Sequence, residues 1–150
     1  MTKKKKTRAR RRRTGHYTIK VIFAFNVEAR RRALGDDYVE RALAGTDSFN
    51  AEFQELVTEY CWGKVWGRSV LSDQQRSLNN LAMTAALNRG EEFKIHVRGA
   101  LRNGCTLNEI RDTLLQVAVY CGIPAGVEAF RLAREVFQAE GVVPEPQTES

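Results

Sequence analysis

Twice from its middle onward the chain writes the same punctuation ahead of an apolar stripe. Ser72-x-x-Gln75 opens residues 72–88, and Thr106-x-x-Glu109 opens residues 106–122. Each is a capping box, in which a hydroxyl accepts from the N–H three residues on and the longer side chain reaches back. The signature belongs to helix starts, so both stretches are predicted to be helices. Leu78, Leu81, Ala82, Ala85 and Ala86 then recur at helical spacing. In the second stretch Leu114, Leu115, Val117, Ala118 and Cys121 are expected to face inward, with Cys105 and Ile110 placed as a hydrophobic staple. Gly104 and Gly122 fall where helices stop, and Pro124 suits the first turn of the next one.

Helical patterning extends through most of the chain. Residues 27–45 read as helical with a break at Gly35. Residues 50–66 place Phe53, Leu56, Val57 and Tyr60 on one stripe, with Gly63 loosening or ending it. Residues 91–104 and 124–141 complete the pattern, and the polar, Pro-containing residues 142–150 read as a loose tail. The expected fold is all-α, a compact helical domain of five to six helices. Residues 115–119 are apolar nearly all round, as in a helix central to a monomer or at a subunit contact, and favour an oligomer. Residues 17–25 are β-branched and aromatic, which suits a strand or an apolar segment docking on a partner.

Charge divides the 150 residues unevenly. Residues 1–35 hold 13 Lys and Arg against the single acid Glu28, whereas residues 36–150 carry 11 bases and 17 acids. The overall +6 is therefore a property of a basic N-terminal arm, 1–35, and not of the helical domain, 36–150. Residues 3–13 repel one another and bury nothing, so the arm should be partly disordered alone. It reads as a solvated tail, a transit peptide, or a contact for nucleic acid or another polyanion. No apolar run approaches the ~20 residues of a membrane span, and no signal peptide is evident. Cys61, Cys105 and Cys121 are odd in number and lack C-x-x-C spacing. They are expected to be small buried thiols in a reducing, cytoplasmic compartment, and neither a disulfide framework nor a zinc site.

Glu92 and His96 lie one helical turn apart beside Phe93 and Val97. That spacing suits a surface ion pair or a carboxylate that holds and charges a catalytic imidazole. The segments ALGDDYVERALAG, EYCWGKVWGR, LSDQQRSLNNLAM, EEFKIHVRGALRNGCTLNEI and LLQVAVYCGIPAGVEAF resemble, in order, the carboxymuconolactone decarboxylase family. The resemblance covers roughly residues 33–138 and is greatest to the small γ-carboxymuconolactone decarboxylases. It implies an all-helical homo-oligomer, trimeric or hexameric, working without a cofactor. The implied reaction converts γ-carboxymuconolactone to 3-oxoadipate enol-lactone in aromatic catabolism.

The resemblance also assigns roles. His96 becomes the proton donor or the hydrogen-bond donor to the lactone oxygen. Glu92 orients the ring and raises its pKa. Arg76 and Arg89 become candidates for the substrate carboxylates, Trp62 and Trp66 for walls of the pocket, and Tyr120 for a pocket or core residue. Family members usually carry Pro-Gly where this chain has Ser69 and Val70, and apolar or small residues where it has Asn79 and Asn80. Two other functions compete. One is an oligomeric helical scaffold with a polyanion-binding arm. The other is a thiol-dependent peroxidase, disfavoured because the related C-x-x-C-x-x-x-H pattern would put its cysteines at Arg89 and Glu92.

Overall fold

The computed structural model describes residues 23–144, and among these all regular structure is helical. A helix over 23–34 (α1) is followed by α2 (Asp36–Ala44) and α3 (Ala51–Val57). α3 runs without a break into a π-helical segment, Thr58–Trp66. Then come α4 (Asp73–Ala86), α5 (Gly90–Arg102), α6 (Leu107–Cys121) and α7 (Ile123–Ala139). The described residues hold seven α-helices, more than the expected five or six, and the break at Gly35 falls where the sequence placed it. Gly35 has φ +91°, a conformation L side chains rarely adopt. Most of the arm's basic run, and residues 17–22 of the strand candidate, lie outside the described residues. Residues 23–25 belong to α1 instead of a strand: from Phe23 onward the segment is rich in Ala, Arg and Leu, all good helix formers.

The chain divides into two compact units. Among the described residues, one takes 23–32 and 36–69, the other 33–35 and 70–144. In the N-terminal unit, Arg30 Nη1 donates to Gln54 Oε1 at 3.0 Å and ties α1 to α3. α3 is preceded by an Asx turn, in which Asp47 Oδ1 accepts from the N–H groups of Phe49 and Asn50 at 2.8 and 3.1 Å. The helix changes winding at Thr58 and passes through Gly63 within the π-helical segment. A Cβ at Gly63 would lie 2.5 Å from Asn26 Oδ1, so a larger residue there would have to displace the end of that side chain. The expected stripe of Phe53, Leu56 and Tyr60 is exposed. The buried face is Thr58, Trp62 and Trp66, which follow one another at four-residue steps along the π-helical segment.

In the C-terminal unit α4 packs on α5, α6 and α7, and α7 also packs on α5 and α6. Their shared core includes Leu81, Phe93, Val97, Ile110, Leu114 and Val136. Both capping boxes form as the sequence requires. Ser72 Oγ accepts from the Gln75 N–H at 3.1 Å, and Gln75 Oε1 accepts from the Ser72 N–H at 2.9 Å. Thr106 and Glu109 repeat the exchange at 3.2 and 2.7 Å. α5 ends in a Schellman motif: Gly104 turns with φ +82°, and Cys105 N–H returns to Ala100 O at 2.9 Å. Cys105 and Ile110 are both in the core, as the staple requires.

The α6 stripe differs from expectation. Leu114 and Val117 are buried, but Leu115 and Cys121 are exposed, and Ala118 is partly covered. The sequence could not choose among residues apolar on every side; packing of α6 on α4 and α7 made the choice and left the outer face open. Of the three thiols expected to be buried, Cys105 is buried and Cys61 and Cys121 are exposed. Burial pushes the Cys105 thiol up to about 11, so it is an inert packing group at neutral pH. No helix among the described residues is long and apolar enough to cross a membrane.

Candidate active site

The site grows from the packing of α4 on α5. α4 stops at a left-handed residue, Asn88, with φ 54°, and Arg89 N–H returns to Thr84 O at 2.9 Å. Asparagine tolerates this conformation better than other side-chain-bearing residues. The chain reverses there and α5 begins at Gly90, with Arg89 at its N-cap. Phe93, Val97 and Ala100 bury one face of α5. His96, beside Val97, is thereby held partly buried toward α4.

What meets the imidazole is Asn80. Its Nδ2 lies 3.5 Å from His96 Nδ1, at the long limit of a hydrogen bond. Glu92 is exposed and makes no hydrogen bond to the ring. Glu92 does raise the histidine pKa, as expected, but it does not set the net direction. Burial lowers the pKa below 6.5 and outweighs the upward pull of the Glu92 charge. The helical spacing brings the carboxylate near enough for its field to register, but water screens it while the ring itself is desolvated.

Arg76 lies one turn before Asn80 on α4 and is buried, 8% exposed. Arg76, Asn80 and Thr84 follow at four-residue steps, and Thr84 Oγ1 donates to the Asn80 carbonyl at 2.7 Å. His96, Asn80 and Arg76 thus share one helix pair. Arg89 is exposed on the rim of a separate cleft of about 120 Å³ walled by Ala85, Phe93, Ala129 and Leu132, with Glu128 also lining it. His96, Arg76 and Tyr120 do not line that cleft. Tyr120 is 81% exposed, neither a core residue nor part of the cleft. Trp62 and Trp66 are buried in the N-terminal unit with ring centroids 5.3 Å apart. Among the described residues Trp62 Nε1 and Thr58 Oγ1 are buried without a hydrogen-bond partner.

Asn80 is the residue whose contact with the ring the sequence did not reveal. It stood out only as a polar side chain beside an apolar stripe, and a buried amide needs a partner. The usable signal was its four-residue step from both Arg76 and Thr84.

The depressed histidine gives stability a pH dependence of defined sign. The unfolded chain takes up its proton near pH 6.5, and the folded chain takes it up only lower. The contribution of His96 is therefore fully present above 6.5 and is lost as pH falls toward the folded value. Urea unfolding of wild type and His96→Gln from about pH 7.5 to about pH 5 checks it. The wild type should lose stability relative to the variant across that window; a constant difference would mean that the ring is not desolvated.

One α4–α5 pair of an all-helical protein thus carries a partly buried imidazole, an amide and a buried guanidinium. The profile of the carboxymuconolactone decarboxylase family matches residues 51–135, and the chain belongs to that family. It is 37% identical to the 4-carboxymuconolactone decarboxylase of Acinetobacter baylyi over 79% of this chain and 89% of that protein. It is 43% identical to the nitrosuccinic acid decarboxylase npaB of Metarhizium robertsii over 72% of this chain and 76% of that one. A shorter match, 43% over 37 residues, joins it to a 4-carboxymuconolactone decarboxylase of Pseudomonas putida, covering 25% of this chain and 77% of that sequence.

Proposed function

We propose that this protein is a carboxy-lyase that decarboxylates 4-carboxymuconolactone to 3-oxoadipate enol-lactone without a cofactor, with His96 as its central group. The observation that carries this reading is the partly buried imidazole beside Asn80, in a chain 37% identical to a named 4-carboxymuconolactone decarboxylase over most of its length.

The substrate supplies its own electron sink. The carboxylate leaves the ring carbon next to the ring oxygen as CO₂. The electron pair of the broken bond moves through the ring double bond and gathers on the lactone carbonyl oxygen. One proton is then taken up from solvent at the carbon beside that carbonyl. The protein has to hold an anionic substrate and stabilise the oxyanion that forms. A donor already aimed at the developing charge performs the second task. His96 supplies that donor, and Arg76 on the adjoining turns of α4 is the candidate for a carboxylate partner. Glu92 keeps a long-range role through its charge. Nitrosuccinic acid obeys the same logic: its nitro group accepts the pair released with CO₂. Both substrates retain a second carboxylate on the neighbouring carbon.

The assay follows ultraviolet absorbance and CO₂ release with 4-carboxymuconolactone and nitrosuccinate supplied in parallel. Turnover of the lactone with stoichiometric CO₂ is expected. A larger kcat/KM for nitrosuccinate would move the chain to the second substrate, and turnover of neither would remove the decarboxylase reading.

The same reading includes a homo-oligomer, trimeric or hexameric, in a reducing cytoplasmic compartment. Leu115, Val119, Tyr120, Ile123 and Val127 on α6 and α7 are all more than half exposed, an apolar surface suited to a second copy of the chain. The polyanion-binding role of the arm rests on residues outside those described.

A further inference from the structure

His96 has two polar neighbours of opposite kind. Glu92 offers a carboxylate from the preceding turn of α5, and Asn80 offers a carboxamide from α4. The amide is the one within reach, with Nδ2 3.5 Å from Nδ1. A carboxamide nitrogen donates hydrogen bonds and does not accept them. An amide nitrogen facing Nδ1 favours a ring that keeps its lone pair there and its single proton on Nε2. A second proton at Nδ1 would set one N–H against another. The backbone behind the amide is itself held, because the Asn80 carbonyl accepts from Thr84 Oγ1.

We propose that Asn80 is a positioning residue that holds His96 as the neutral Nε2–H tautomer. The ring then serves the reaction as a hydrogen-bond donor to the oxyanion and not as a protonated acid. This role rests on the decarboxylase reading, whereas the tautomer itself rests on the α4–α5 contact alone.

The electrostatic surroundings agree. α4 brings Asp73 and Arg76 to the helix pair, and α7 brings Glu135 and Glu140, which Lys94 and Arg98 engage at 3.0 and 3.2 Å. Of these groups and those on α5, Glu92 alone pulls the ring toward protonation, and burial overrides it. A neutral imidazole acting as an electrophile is an established catalytic device where an oxyanion forms beside a carbonyl.

The test is nitrogen-15 NMR of the full chain labelled at histidine, with His16 and His96 distinguished by His16→Gln. Wild type should show His96 as the Nε2–H tautomer, titrating below 6.5. Asn80→Asp puts an acceptor oxygen against Nδ1. It should switch the ring to the Nδ1–H tautomer and raise its pKa by roughly one unit or more. Should that variant fail to fold, Asn80→Leu serves: the apolar side chain removes the donor, and the two tautomers should mix. With substrate, both variants should lose roughly tenfold or more in kcat with a smaller change in KM. An Nδ1–H ring in wild type would overturn the proposal. So would an unchanged tautomer and pKa in the variants. If wild type turns over neither acid, the NMR result still decides whether Asn80 holds the ring, so the two failures are distinguishable.

Discussion

His96→Ala should lower kcat/KM by about 10²-fold or more while the protein stays folded. Removing one donor from an oxyanion site typically costs about 10² to 10³ in rate. The imidazole is partly exposed and outside the core, so its loss leaves the packing of Phe93 and Val97 intact. Circular dichroism and an unchanged unfolding midpoint establish that the loss is chemical. His96→Gln separates the two roles a histidine can play here. A glutamine amide can still donate a hydrogen bond but cannot deliver a proton. It should recover activity by roughly tenfold over alanine if a donor is what the reaction needs. Equal loss in both variants would point to proton transfer instead. Glu92→Gln should do little, because Glu92 is exposed and does not touch the ring.

Phe93→Ala should be the most damaging single truncation for stability. Its side chain is 1% exposed and lies in the core that α4, α5, α6 and α7 share. Truncating a buried phenylalanine costs about 3–5 kcal/mol, from lost burial and from the void left behind. Whole domains are stable by only about 5–15 kcal/mol. Phe93 also walls the cleft beside Arg89, so part of the void can fill with water and the loss should fall toward the lower figure. Urea unfolding measures it, with Phe93→Leu as the milder comparison. A loss under about 1 kcal/mol would mean that α5 is not anchored through this residue. Because Phe93 lies less than one turn before His96, the truncated variant should also lose activity before it loses its fold.

The helix starts were legible because their signals are local. Ser72 with Gln75, and Thr106 with Glu109, need no partner outside their own first turns. The stops at Gly35, Gly104 and Gly122 were legible for the same reason: each takes a positive φ that favours glycine. What packing decides was harder to read. Leu115 and Leu114 are adjacent and chemically identical, yet one is exposed and the other buried. The stripe through Phe53 and Tyr60 failed: α3 buries none of its residues, and the buried face begins at Thr58, where the helix changes winding. That change accompanies the close approach of Asn26 to Gly63, 37 positions apart in the sequence. At the site, a motif located His96, but its partner Asn80 comes from 16 residues away across a helix contact. The favoured carboxylate, Glu92, has the right spacing and the wrong exposure. Spacing fixes direction along one helix, but not which neighbouring element fills the space between.

The π-helical stretch from Thr58 to Trp66 has a consequence for how the chain can vary. A ladder that reaches five residues back instead of four winds more loosely, so each turn stores a fraction of an amino acid that an α-helix would not accommodate. Losing one residue anywhere in this stretch would let the ladder revert to the tighter winding. The two indoles would still share a face, because side chains three or four residues apart are neighbours on an α-helix. A single-residue deletion can therefore be taken up here by a change of winding, an accommodation that a regular α-helix of the same span does not offer.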